Sequence, residues 1–120
     1  MADVRLFIRL DLTGGDRIGP GKIALLEAID AKGSISAAAR HLGMSYRRAW
    51  LLVEELNDAL CEPAVTAAKG GSRGGGARLT TVGERVVEHY RAIEDLARSS
   101  ASGEFRAIRK LIRRGHKART

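Results

Sequence analysis

Two short apolar segments separated by a single tight turn constrain this chain more than anything else in it. The first begins on serine (Ser34, Ser36), runs through Ala37, Ala38 and Ala39, and stops at Gly43. Met44 and Ser45 follow, and from Tyr46 to Leu60 the residues Ala49, Trp50, Val53, Leu56 and Leu60 recur at helical spacing. Such spacing gathers side chains on one face of an α-helix. A serine before a helix accepts a hydrogen bond from an N–H of the first turn that has no partner in the helix itself. A glycine after a helix takes the left-handed conformation that ends it. The run of small alanines permits close approach by another helix. Two helices joined through Gly43 and Met44, the second opening on polar side chains, form a helix-turn-helix.

The flanking sequence supplies a frame. Val4, Leu6, Ile8 and Leu10 alternate with Arg5, Phe7, Arg9 and Asp11, which predicts a strand with one buried face. Thr13 to Asp16 is a turn. Pro20 suits the first turn of a helix, and Ile23, Leu25, Leu26, Ala28 and Ile29 give that helix an apolar stripe closed by Lys32 and Gly33. After the stop at Glu62-Pro63, Ala64 to Ala68 suits a strand. Lys69 to Gly76 holds five glycines in eight residues and reads as a loop. Arg78, Leu79 and Thr80 suit the return strand. Thr81, with Glu84 three residues on, has the pattern of a capping box opening a fourth helix. Val82, Val86, Tyr90, Ile93 and Leu96 recur along it. Arg98 to Gly103 breaks the pattern, and a last helix is expected from Glu104 to Arg114, with Phe105, Ile108, Leu111 and Ile112 on one side. The expected fold class is mainly α with a small β hairpin: a winged helix-turn-helix with an N-terminal strand and a long C-terminal helix. The expected division is a domain over residues 1–98 and a basic C-terminal helix or tail over 99–120.

Charge points to the partner. The net charge is +7. Residues 1–60 carry eight Lys/Arg and eight Asp/Glu, so the whole excess lies in the second half. A surplus of this size in a small chain suits a polyanion, either nucleic acid or an anionic membrane surface. No run approaches the roughly 18 apolar residues of a membrane span, and the N-terminus lacks the apolar core of a signal peptide. Cys61 is the only cysteine, which excludes a disulfide within the chain and a cysteine metal cluster; it is expected to be a half-buried apolar residue. His41, His89 and His116 do not have metal-ligand spacing. No catalytic triad or carboxylate pair is apparent, so neither an enzyme nor a metal or cofactor is expected. The expected setting is cytoplasmic and reducing, with no membrane partner.

The helix-turn-helix then directs the reading towards double-stranded DNA. Its second helix must fit a major groove about 12 Å wide, and residues at its start reach base edges. Those residues are Ser45, Tyr46, Arg47 and Arg48. Arginine is the side chain best suited to a bidentate contact with guanine. Tyr46 is open between base contact and core edge, whereas Trp50 continues the apolar stripe and is expected in the core. The glycine-rich tip, with Lys69, Ser72 and Arg73, would be the wing, its backbone able to approach the sugar-phosphate chain. Ser34, Ser36 and Arg78 complete the candidate DNA-binding set. The crowded cations near the end (Arg106, Arg109, Lys110, Arg113, Arg114, Lys117, Arg119) are either a solvated tail or further phosphate contacts. The alternative function is a winged-helix module that binds a protein, with the basic tail incidental.

These segments taken together resemble a known family. Gly33-Ser34-Ile35-Ser36-Ala37-Ala38-Ala39, Met44-Ser45-Tyr46-Arg47-Arg48-Ala49-Trp50, the glycine tract ending at Gly76-Ala77, and Leu79-Thr80-Thr81-Val82-Gly83 are similar to the N-terminal DNA-binding domain of ModE-type, molybdate-responsive regulators. The likeness covers roughly residues 18–97. The helix-turn-helix also resembles, more distantly, that of LysR-type regulators. The resemblance implies a winged helix-turn-helix that binds DNA as a homodimer and regulates transcription. Val82, Val86, Tyr90, Ile93 and Leu96 of the fourth helix are the expected dimer seam, together with the N-terminal strand. In that family a separate C-terminal region binds molybdate. The residues after Ala97 are too few to supply it, so no molybdate site is expected within these 120 residues.

Overall fold

The computed structural model describes residues 4–68 and 75–113. Lys69, Ser72 and Arg73 at the expected wing tip, and Arg114, His116, Lys117 and Arg119, lie outside the described residues.

The described chain runs β1 (Leu10–Asp11), β2 (Arg17–Ile18), α1 (Pro20–Lys32), α2 (Ile35–Leu42), α3 (Tyr46–Ala59), β3 (Val65–Ala68), β4 (Gly76–Leu79), α4 (Thr81–Ser100) and α5 (Ser102–Leu111). Each strand pair is antiparallel, with Leu10 opposite Ile18 in the first and Val65 opposite Leu79 in the second.

Helix α1 is the centre of the molecule. Lys22, Ile23, Leu25, Leu26, Ala28 and Ile29 are all buried, so the expected stripe is in fact most of its circumference. The reason is its surroundings: α2, α3, α4, β2 and β4 all pack on it. Each large aliphatic side chain buried there contributes about 1.5–3 kcal/mol relative to exposure. The one buried cation among the described residues, Lys22, donates to the Arg17 carbonyl (2.7 Å) and pairs with Glu55 of α3 (3.1 Å), so its charge is matched where it is desolvated.

The helix ends follow local chemistry. Ser34 Oγ accepts from Ala37 N–H and Ser45 Oγ accepts from Arg48 N–H, both at 3.1 Å. Gly43 has φ 71°, and Met44 N–H reaches back to the Ala39 carbonyl at 3.0 Å, which closes α2 and aims the chain into α3.

Four expectations need correction. Residues 4–12 do alternate, with Leu6 and Ile8 half-buried and Phe7 and Arg9 exposed. Yet only Leu10 and Asp11 pair as a strand, because their partner, β2, is two residues long and gives way to α1 at Pro20. Helix α4 is capped by Thr80, whose Oγ1 accepts from Gly83 N–H (3.1 Å), so Thr81 is its first residue and the Thr81–Glu84 box does not form. The helix continues to Ser100, since serine lowers helix propensity without breaking a helix packed on α1; α5 accordingly begins at Ser102. Cys61 is exposed, in the turn after α3.

Candidate nucleic-acid interface

The wing is fastened to the helical body by three sets of polar contacts. Asn57, near the end of α3, accepts from Ala64 N–H (2.8 Å) and Val65 N–H (3.2 Å) and so sets the start of β3. Thr80 donates its hydroxyl to the Pro63 carbonyl (2.6 Å), and its N–H donates to the Ala64 carbonyl (2.9 Å). Ala77 N–H donates to the Gly33 carbonyl in the α1–α2 turn (2.9 Å). Gly83 lets α4 lie against this junction: a Cβ there would stand 2.2 Å from the Ala64 carbonyl oxygen. Asn57 was missed by the sequence reading. Its one legible signal was an amide in the last turn of a helix, just before a stop.

Between α2, α3 and the wing lies an open groove of about 990 Å³. Ser34, the cap of α2, and Ser36 and Arg40 of α2 line it on one side, and Tyr46, Trp50 and Asn57 of α3 on the other. The structure therefore brings Ser34, Ser36 and Tyr46 together and adds Arg40 and Trp50. Trp50 corrects an expectation, for it is 42% exposed. The core line of α3 is Ala49, Val53 and Leu56, and a residue next to Ala49 in sequence is turned about 100° away from that line. Tyr46, one turn earlier, is 53% exposed on the same face.

Arg47 and Arg48 are exposed and make no ion pair or side-chain hydrogen bond among the described residues. Arg47 falls on the side of α3 facing away from the core. Leu51, half-exposed at 52%, comes one turn later on that side, followed by Glu54 and Asp58. Carboxylates there would repel phosphate, so only the first two turns of α3 suit a polyanion. The two capping serines have oxygens engaged by N–H groups and keep a hydroxyl hydrogen to donate. Arg78 is exposed on β4 opposite Thr66 and stands apart from the groove lining.

The expected seam on α4 divides. Tyr90 is buried in the chain's own core (1% exposed) and donates its hydroxyl to the Ile8 carbonyl at 2.5 Å. Val82 and Val86 are half-buried, whereas Ile93 and Leu96 are exposed. Val82, Val86 and Ile93 line a shallow apolar trough of about 260 Å³ with Leu10 and Ile18. Beside it, Arg91 makes a two-pronged pair with Glu27 of α1 (2.6 and 3.0 Å) and meets the buried Glu94 at 2.6 Å. These carboxylates raise the pKa of the Arg91 guanidinium and keep it charged. Burial, then the nearby Glu94, raises that of the Tyr90 phenol.

Among the described residues no group of three or more His, Cys, Asp or Glu is placed to hold a metal ion, and no helix is long and apolar enough to cross a membrane.

No family model matches the chain. It is 54% identical over 80 residues to the molybdenum-pterin-binding protein MopB of Rhodobacter capsulatus, covering 67% of this chain and 30% of MopB. It is 42% identical over 85 residues to the molybdenum transport protein ModE of Azotobacter vinelandii, covering 71% and 32%. The DNA-binding transcriptional dual regulator ModE of Escherichia coli K12 is 42% identical over 71 residues, 59% of this chain and 27% of that protein. The chain thus spans about a third of the length of these relatives. In fold it is similar to the DNA-binding domain of CbnR solved in complex with DNA, with a TM-score of 0.55 and 24% identity, covering 73% of this chain and 95% of that one. Full-length CbnR with its target DNA gives 0.51 at 24% identity, over 70% of this chain and 27% of that one. The chain is a homologue of the ModE and Mop proteins over a region making up about a third of them, and its fold is a winged helix-turn-helix.

Proposed function

We propose that this chain is a sequence-specific DNA-binding module of a ModE-type transcriptional regulator. The observation that carries the reading is the first turn of α3, where Tyr46, Arg47 and Arg48 stand exposed beside the groove, the two arginines without a carboxylate partner among the described residues. Helix α3 enters the major groove by that end. Arg47 faces the base edges, Ser34, Ser36, Ser45 and Arg40 face phosphates, and the wing lies along the flanking backbone by way of Arg78, with Lys69, Ser72 and Arg73 as further candidate contacts. The module acts as a homodimer, with Val82, Val86, Ile93 and Leu96 of α4 facing the second copy, and does so in the cytoplasm without catalysis. Residues 99–120 are the basic C-terminal segment that follows it in sequence.

The test is selection of bound fragments from a random duplex pool, followed by titration of the selected duplex in rising salt. The expected result is one enriched motif with twofold symmetry and a log K that falls steeply and linearly with log salt. Absence of duplex binding at low salt would overturn the reading in favour of a protein-binding module.

A further inference from the structure

The cations near α3 divide into matched and unmatched. Arg9 is paired with Asp11 at 2.8 Å and Lys22 with Glu55 at 3.1 Å. Arg17 of β2 and Arg48 of α3 have exposed side chains with no ion pair or side-chain hydrogen bond among the described residues. Both line one shallow depression of about 340 Å³, floored by Gly19, Pro20 and Leu52. The one carboxylate in its described lining, Glu55, is already held by Lys22. Two guanidiniums therefore face a common space with no counter-ion.

The position of that space gives it meaning. Along α3, Tyr46, Trp50 and Asn57 share the face towards the wing groove, and Arg48, Leu52 and Glu55 share the opposite flank. At about 100° per residue, Arg47 falls midway between them, pointing away from the core. A helix lying in a major groove is bordered by a sugar-phosphate strand on each side. The wing covers one border. Without a counterpart, the other border would meet only α3 itself.

We infer that the β1–β2 hairpin is a second, N-terminal wing, in which Arg17 and Arg48 grip adjacent backbone phosphates of duplex DNA on the side of α3 opposite the glycine-rich wing. This rests on the proposed DNA-binding reading and deepens it. It also separates the two adjacent arginines: Arg47 reads a base, and Arg48 holds the backbone. The mononucleotide-spaced phosphates of the strand supply the anion, and the pairing of Lys22 with the Arg17 carbonyl (2.7 Å) fixes the hairpin against α1 so that Arg17 is held in place.

The experiment uses the full chain, the duplex selected above, and a random-sequence duplex of equal length, with binding read by fluorescence anisotropy across salt concentrations. Each phosphate contact contributes about 0.9 to the salt slope on B-DNA. Arg17→Ala is expected to lower the slope by about that amount per protomer, and to weaken both duplexes alike. The ratio of wild-type to variant affinity then changes about 3- to 4-fold per protomer over a fourfold range of salt. Arg17→Lys should keep the slope, Arg48→Ala should behave as Arg17→Ala, and Arg98→Ala, on α4, should match wild type. Unchanged thermal melting shows that the variants fold, as expected for an exposed side chain. If Arg17→Ala keeps the wild-type slope and affinity while wild type binds both duplexes, the second wing is wrong and the DNA-binding reading stands. If wild type binds neither duplex, both are wrong.

Discussion

At the scale of single residues, α3 shows how one helix assigns different tasks to neighbours in sequence. Ala49, Val53 and Leu56 hold it to α1, Tyr46 and Trp50 face the groove, and Arg47 faces outwards. Arg47→Ala is expected to cost about 1–3 kcal/mol on the selected duplex and to relax selection at one base pair while leaving random duplex nearly unaffected; competition binding against a panel of single-base variants measures this. Trp50 gives a second prediction. As it is largely outside the core, Trp50→Ala should change the urea midpoint far less than Leu56→Ala, whose buried side chain (1% exposed) is worth about 2–5 kcal/mol. Trp50 is the only tryptophan, so its fluorescence should shift and become shielded from acrylamide when duplex binds. The sequence made Arg47 and Arg48 legible as candidates, because they follow a serine cap. It misplaced Trp50, because a large apolar residue beside a core line looks the same in sequence as one on it.

At the scale of elements, the decisive joint is between the wing and α4. Leu79-Thr80-Thr81-Val82-Gly83 was readable as part of a family pattern, and the structure supplies its physical cause. Thr80 caps α4 and also holds the Pro63 and Ala64 carbonyls, and Gly83 leaves room for the Ala64 carbonyl. Gly83→Ala sets a methyl against backbone at 2.2 Å, which flexible side chains cannot relieve. Overpacking of this kind costs about 1–3 kcal/mol or more. The expected outcome is a clear fall in the denaturation midpoint together with weakened duplex binding as the wing is displaced. A wild-type midpoint for Gly83→Ala would show that α4 does not sit this close. Caps and helix lengths were mostly legible, because serine and glycine act on the turn they occupy. The one-residue error at Thr80 arose because two adjacent threonines are equivalent caps until one of them finds the Pro63 carbonyl.

At the scale of the whole molecule, α4 ties the N-terminal segment to the body. The chain extends over 53 × 30 × 24 Å, and α4 is about 30 Å long. Its Tyr90 holds Ile8, and its Arg91 holds Glu27. The pKa of Tyr90 is raised in the folded state by burial first and Glu94 second, so the fold binds the phenolic proton more tightly than the unfolded chain. The stability this gives is complete below about pH 10, the ordinary tyrosine value, and is lost as pH climbs through the raised value. Tyr90→Phe should therefore melt lower at neutral pH, by the about 0.5–1.5 kcal/mol of one hydrogen bond, and show a shallower loss above pH 10. Thermal melts of both proteins across that range check it. The exposed Leu96 (66%) gives the last prediction. Leu96→Glu should lower the dimer fraction in sedimentation velocity without changing the far-ultraviolet circular dichroism, and an unchanged dimer fraction would remove α4 from the seam.

What the sequence determined by itself is what local chemistry can write: where helices start on Ser34 and Ser45, where they stop at Gly33 and Gly43, the glycine-rich break between two strands, and the kinship with the ModE proteins. What only the tertiary structure decided is facing. Five neighbouring elements cover α1, so it is buried nearly all round. Trp50 is left to the groove because smaller residues already meet the core. Tyr90 turns inward because Ile8 offers it an acceptor. Among residues 4–12, only Leu10 and Asp11 pair as a strand, because their partner strand is two residues long. The Ser34–Ala59 helix-turn-helix itself was visible from the start, since a cap and a glycine need no partner beyond the next turn. Which of its side chains are left free to meet a partner depends on which others the rest of the chain has covered, and that is a property of packing rather than of any one residue.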